Sequence, residues 1–172
     1  MHHLPILLVP GYQDSGPDHW QTHWHAAHPD WQRVHDQDWE TPDLAQWCQV
    51  LCRHLAQSPV PLHLVAHSFG CLTSLQAAAQ LPHKIASLFL VAPPDPLHFA
   101  IPDEALSTPP CPTSLLLSDN DPWLAADRAA QLAGRWRLTP QHLGSQGHVN
   151  ADSGHGHWPE GLARLAAHLR GL

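Results

Sequence analysis

The chain has no basic cluster and little charge of any sign. Lys and Arg number 8 against 15 Asp and Glu, a formal charge of −7 with the histidines neutral. Because that charge is spread along the chain, nucleic acid and anionic membrane surfaces are poor partners. No apolar run approaches the roughly 20 residues that a membrane-spanning helix requires. Cys48, Cys52, Cys71 and Cys111 contain no Cys-x-x-Cys pair, so the sequence indicates neither a disulfide scaffold nor a thiolate zinc site. His-Glu-x-x-His is absent as well. Met1-His2-His3-Leu4-Pro5 runs straight into a strand without a charged-then-apolar leader. A soluble cytoplasmic protein is expected. With no internal repeat or linker, residues 1–172 are expected to form one domain.

What is present is a globular composition: 43% hydrophobic residues and 8 tryptophans. The 17 histidines are unusual, and most are expected on the surface. They drive the net charge positive below roughly pH 6. Leu4–Val9 is a continuous apolar run closed by Pro10-Gly11, as in a strand buried on both faces. Pro17 is expected to open a helix that ends at Pro29, with Trp20 and Trp24 on one face. A short strand is expected near Trp31–His35. Thr41-Pro42-Asp43 supplies an N-cap, a first-turn proline and an acid. Leu44, Trp47, Cys48, Leu51, Cys52 and Leu55 then recur at helical spacing.

A strand at Leu62–His67 leads through Ser68 into a helix over 71–79. Ile85–Ala92 is a further buried strand. Between Pro93 and Pro112 seven prolines interrupt any period, so an irregular loop is expected. Thr113–Ser118 is a strand and Asp119–Asp121 a turn. A helix over Pro122–Ala133 is expected to stop at Gly134. An amphipathic strand over Arg135–Leu143, a glycine-rich loop over Gly144–Trp158 and a helix over Pro159–Leu169 complete the chain. Six strands alternating with helices imply a mainly parallel sheet with helices on both faces. Ligands of such sheets bind at the C-terminal strand ends.

The chemistry collects at those ends. Ala66-His67-Ser68-Phe69-Gly70 lies between a strand and a helix, the nucleophile-elbow pattern of the α/β-hydrolases, with small residues two before and two after the serine. Ala66 replaces the usual glycine. A serine nucleophile needs a base, and the base needs an acid to fix its tautomer. The order Ser, then Asp, then His is satisfied by Ser68, by Asp119 or Asp121, and by one of His142, His148, His155 and His157. Asp121 also reads as a helix N-cap before Pro122. Gly147 before His148 lets that loop bend its imidazole towards the sheet. The backbone N–H groups of Phe69 and Tyr12 are the candidate oxyanion donors. Leu97, Phe99 and Ile101 either line an acyl pocket or tuck into the edge of the core.

The segments Val9-Pro10-Gly11, Ser15-Gly16-Pro17-Asp18-His19-Trp20, Ala66–Gly70, Ser118–Pro122, Gly147–Gly154 and Trp158-Pro159 resemble the small serine hydrolases of the retinoblastoma-binding-protein-like family. The resemblance spans nearly the whole chain. It implies a compact α/β-hydrolase fold without a cap domain, a triad of Ser68, Asp121 and His148, and no cofactor. The Leu-x-Cys-x-Glu motif behind the family's name is missing, so that protein interaction is not implied. The expected activity is hydrolysis of a small carboxylic ester through an acyl-enzyme, with the oligomeric state open. Two other readings are compatible with the sequence. One is a metal site built on His19 and His23 or on His148, His155 and His157. The other is a hydrolase scaffold used for binding with an idle triad.

Overall fold

A computed structural model describes residues 4–172; Met1, His2 and His3, read above as leading into the first strand, lie outside the described residues. Six parallel strands form a single sheet: β1 (Ile6–Val9), β2 (Gln32–Arg33), β3 (Leu62–His67), β4 (Ile85–Val91), β5 (Thr113–Leu117) and β6 (Pro140–His142). Their spatial order is β2-β1-β3-β4-β5-β6. Five helices cover it: α1 (Trp20–Ala27), α2 (Leu44–Gln57), α3 (Phe69–Gln80), α4 (Ala126–Trp136) and α5 (Pro159–Arg170).

Strand periodicity divides the core in two. Leu7 and Val9 of β1, Leu64 and Ala66 of β3, and Leu115 and Leu117 of β5 face α2, α3 and α4, where Trp47, Leu72 and Trp136 fill the layer. Ile6, Leu8, Val65 and Leu116 point the other way, onto Trp20 and Trp24 of α1 and Leu165 of α5. The continuous apolar run of β1 and the largely apolar β3 and β4 thus have the expected cause: both faces of the central strands are covered.

Several element boundaries differ from expectation, each for a local reason. α1 starts at Trp20 rather than Pro17, because the His19 imidazole caps it by accepting the Gln21 N–H at 3.1 Å. α2 is capped by Asp43, not Thr41: the Asp43 carboxylate accepts the Gln46 N–H at 2.9 Å. The proline-rich loop holds two short 3-10 turns, Pro96–Phe99 and Asp103–Ala105. α4 begins at Ala126 instead of Pro122 and runs through Gly134, stopping only where Arg137 turns left-handed at φ 55°. The last strand shrinks to three residues paired with β5.

Gly134 therefore sits inside a helix and is exposed there, with no atom within 4 Å of where a Cβ would be. Gly134→Ala is expected to raise stability by about 0.5–1 kcal/mol through lower unfolded-state entropy and better helix propensity. Gly70→Ala is expected to do the opposite, because its Cβ would collide with the carbonyl oxygens of Val9 and Pro10. A loss of about 1–3 kcal/mol is expected for such overpacking. Urea denaturation midpoints of the two variants should move in opposite directions.

Candidate active site

β3 ends at His67 and α3 begins at Phe69, leaving one residue, Ser68, to make the reversal. Its backbone adopts φ 55°, ψ −128°, a conformation that L-residues rarely occupy. Hydrogen bonds on both sides hold it: Ser68 N–H donates to Val91 O at 3.0 Å, and Cys71 N–H donates to Ser68 O at 2.9 Å. The turn is wedged against the end of β1. A Cβ on Gly11 would lie 2.8 Å from Ser68 Cβ, and Gly70 is pressed on the β1 carbonyls. Ala66 is fully buried, and its methyl group is accommodated without opening the turn.

The Ser68 hydroxyl meets His148 Nε2 at 2.8 Å. His148 Nδ1 lies 2.9 Å from both carboxylate oxygens of Asp121. A carboxylate accepts only, so Nδ1 carries the proton and Nε2 is left as the acceptor for the Ser68 O–H. All three residues are buried, and Ser68 and His148 line a cleft of about 350 Å³. Asp121 does not cap α4, which starts further on; its Oδ1 instead accepts the Trp123 N–H at 2.9 Å. That bond fixes the carboxylate before it reaches the imidazole.

The other candidates go elsewhere. Asp119 pairs with His142 at 3.1 Å in a solvent-exposed contact. His155 is buried but bonds to Ser153 Oγ and Gln146 Oε1, bracing its own loop. The His157 ring packs against His23, with centroids 4.2 Å apart. Among the described residues no three His, Cys, Asp or Glu side chains converge as a metal cage would require. Phe69 opens α3, so its N–H has no intrahelical acceptor available to it. Tyr12 follows Gly11 at the wall of the same cleft. Of the residues considered for an acyl pocket, Phe99 lines the cleft. Ile101 instead packs into the core, and Leu97 is 56% exposed to solvent.

Holding the His148 loop is a task shared by residues that motif reading missed. Trp20 donates its indole N–H to Val149 O at 2.9 Å, and Trp24 donates to His157 O at 2.9 Å. His67, directly before the serine, bonds through Nε2 to the His148 carbonyl at 2.9 Å. Gln146 and Gly147 donate their N–H groups to Ser118 Oγ and Asn120 Oδ1. The backbone is forced left-handed at Gly147 and again at Val149, φ 51°, whose side chain is fully buried. The sequence signal for this bracing is the pair of tryptophans on one face of α1, whose spacing does not reveal what their indole N–H groups bind.

The proline-rich loop is fastened to α4. Arg128 forms a fork to Asp95 with two contacts of 2.9 Å and reaches Asp103 at 2.8 Å. Hydrogen bonding to Arg128 keeps the carboxyls of both acids below the usual range. In the cleft wall, burial lowers the His19 pKa to about 3, helped by the nearby Arg33 charge, and burial holds His67 well below its ordinary value. Both imidazoles are therefore neutral. His19 Nε2 is buried without a protein acceptor among the described residues.

The profile of one protein family, serine hydrolase, matches residues 6–167. The chain belongs to the serine hydrolase family. It is similar over 98% of its length, and 91% of the other chain, to a protein from Pectobacterium atrosepticum described as a YdeN-like hydrolase, at 38% identity and a TM-score of 0.92. The ydeN product of Bacillus subtilis shares the fold at 19% identity and a TM-score of 0.77, with 97% and 99% of the two chains covered. A protein from Xanthomonas campestris assigned to the α/β hydrolase superfamily gives 21% identity and a TM-score of 0.77 over 100% of both chains. Among curated proteins no match was found. This member of the serine hydrolase family therefore has a serine, a histidine and an aspartate in hydrogen-bonded sequence at the strand ends of an α/β-hydrolase sheet.

The neutral histidines of this serine hydrolase are expected to make its stability fall on acidification. A histidine whose pKa is depressed in the fold takes up a proton more readily when unfolded, so stability is complete above about pH 6.5 and declines below it. His19 and His67 are each expected to contribute a slope of about 1.4 kcal/mol per pH unit below that point. The acids held by Arg128 add their loss only below about pH 4. Urea melts from pH 7.5 to pH 4.5 should show a steadily falling midpoint; a flat profile would contradict neutral burial of these rings.

Proposed function

We propose that the protein is a carboxylesterase-like hydrolase acting on small carboxylic esters through an acyl-enzyme formed on Ser68. The observation that carries this reading is the continuous hydrogen-bonded series from Ser68 Oγ through His148 to Asp121, with Ser68 and His148 lining a cleft. Within the family, the segments matched above favour the retinoblastoma-binding-protein-like branch.

In this reading Ser68 Oγ attacks the ester carbonyl while its proton passes to His148 Nε2. The imidazolium so formed is stabilised by Asp121, which keeps its own proton-free state. The carbonyl oxygen becomes an oxyanion facing the N–H groups of Phe69 and Tyr12, each worth about 2.7–4 kcal/mol of barrier in comparable sites. Collapse breaks the bond to the alcohol, which leaves with the proton from His148. Water then repeats the sequence on the acyl-enzyme, with His148 as base, and releases the acid.

A fluorophosphonate probe tests the nucleophile directly. Wild type is expected to be labelled, and Ser68→Ala and His148→Ala are not. Ester turnover should fall by about four orders of magnitude in Asp121→Asn, where the wrong tautomer is favoured. Asp119→Asn, which loses only a surface contact, should stay within a few-fold of wild type. An unlabelled wild type would mean that the triad is idle and the scaffold serves binding instead.

A further inference from the structure

Trp123 is the one exposed tryptophan of the chain, 37% open to solvent, although the loop that carries it is tightly held. Its N–H is bound by Asp121 at 2.9 Å, and its carbonyl accepts the Asp95 N–H at 2.8 Å. The ring lies 5.9 Å from the His148 ring and lines the same cleft. Phe99, also in the cleft wall, is nearly parallel to it, with planes 12° apart and centroids 6.0 Å apart. Phe99 in turn packs edge-on against Phe69, the residue after the nucleophile, at 4.8 Å. The Arg128 fork to Asp95 and Asp103 fastens both ends of the segment that carries Phe99.

An indole fixed open to water beside a reactive serine loses favourable burial unless something apolar covers it. The opposite feature is the charge of the cleft. Its only formally charged lining residues are Asp14 and Asp152, with no lysine or arginine among them. Asp14 is offset by Arg33 at 2.6 Å, whereas Asp152 is exposed and forms no ion pair among the described residues.

We propose that Trp123 and Phe99 form a specificity wall for esters carrying a flat aryl group, and that the carboxylates of the cleft disfavour an anionic substituent on that group. The inference rests on the hydrolase reading above and names its substrate class. A planar ring gains dispersion and quadrupole contact with the indole face that a saturated ring of similar size cannot match. Whether the aryl group belongs to the acid or the alcohol depends on how the ester enters, so the test covers both.

Two substrate pairs separate the sides: methyl 3-phenylpropanoate against methyl 3-cyclohexylpropanoate, and benzyl acetate against cyclohexylmethyl acetate. The ratio of kcat/KM within a pair removes any loss common to both members. In wild type at least one pair should favour the aryl ester by roughly five- to tenfold. That ratio should collapse towards one in Trp123→Leu, whose backbone contacts to Asp121 and Asp95 need no indole. A para-carboxylate on the favoured aryl ester should lower kcat/KM about tenfold, and Asp152→Asn should recover part of the loss. Turnover of cyclohexyl and aryl esters alike, or a preference that survives in Trp123→Leu, overturns the aryl wall while leaving the hydrolase reading in place. No effect of the carboxylate overturns the charge discrimination. No turnover of any ester, together with no fluorophosphonate labelling, removes both readings.

Discussion

The geometry of the whole site hangs on one strained residue, Ser68, held at φ 55° between the end of β3 and the start of α3. A conformation of that kind costs about 1–3 kcal/mol and persists only where its surroundings over-determine it. Three observations supply that restraint: the hydrogen bond from Ser68 N–H to β4, the helix that starts at the next residue, and glycines at 11 and 70 that let β1 close on the turn. None of these contacts involves the hydroxyl. The oxygen is lifted out of the sheet by backbone bonding and packing and is left for His148.

His148, the base in the proposed reaction, is held in a different way. His148 comes from a loop of glycine, serine and asparagine with no regular structure, and its position is set from outside. One layer of the protein, α1, reaches across with two indole N–H groups to carbonyls at Val149 and His157. The elbow itself contributes His67, which binds the His148 carbonyl. Serine and base are thus tied through adjacent residues of one strand end, so a shift of the elbow would carry the base loop with it. Burial keeps His67 neutral, and a neutral ring is what lets it serve as a fixed hydrogen-bonding partner rather than a competing charge.

The sheet was legible because its strands announce themselves. Leu4–Val9 is apolar throughout and Ile85–Ala92 and Leu62–His67 are largely so, and two-sided burial explains such runs. The elbow residues were legible for a related reason, since a turn that tight admits few residue types. Choosing Asp121 over Asp119 was not open to spacing: the two differ by two positions in one turn, and only the resemblance separated them. Helix ends were misjudged where side-chain caps decided them, as at His19 and Asp43, or where an exposed glycine was tolerated inside α4. Ile101 and Leu97 could not be told from Phe99 by composition. Their fates depend on how Arg128 pulls the proline-rich loop onto α4, a contact between residues far apart in the chain.

This division of labour leaves the cleft with two unlike walls. The loop between β1 and α1 is polar and rigid, pinned by Arg33 through Asp14 and the Ser15 carbonyl, and by Gln21, whose amide donates to Val9 O and Val65 O. In the facing wall, Phe99 sits on a loop anchored in the core by Ile101 and Leu106 and fastened to α4 by the Arg128 fork, and Trp123 is held by backbone hydrogen bonds to Asp121 and Asp95. Changing a residue of the first wall disturbs the β1 end on which Ser68 leans, so it alters the elbow as well as the cleft. The second wall touches the elbow through Phe69, Asp121 through a backbone N–H, and His148 through the Trp123 ring, with centroids 5.9 Å apart. Among the described residues no side-chain hydrogen bond of that wall holds Ser68, His148 or Asp121, so side chains there can vary with little effect on the hydrogen-bonded geometry. Selectivity in this fold is therefore expected to reside on the aromatic side, where shape and charge can change while the hydrogen-bonded series from Ser68 to Asp121 stays in place.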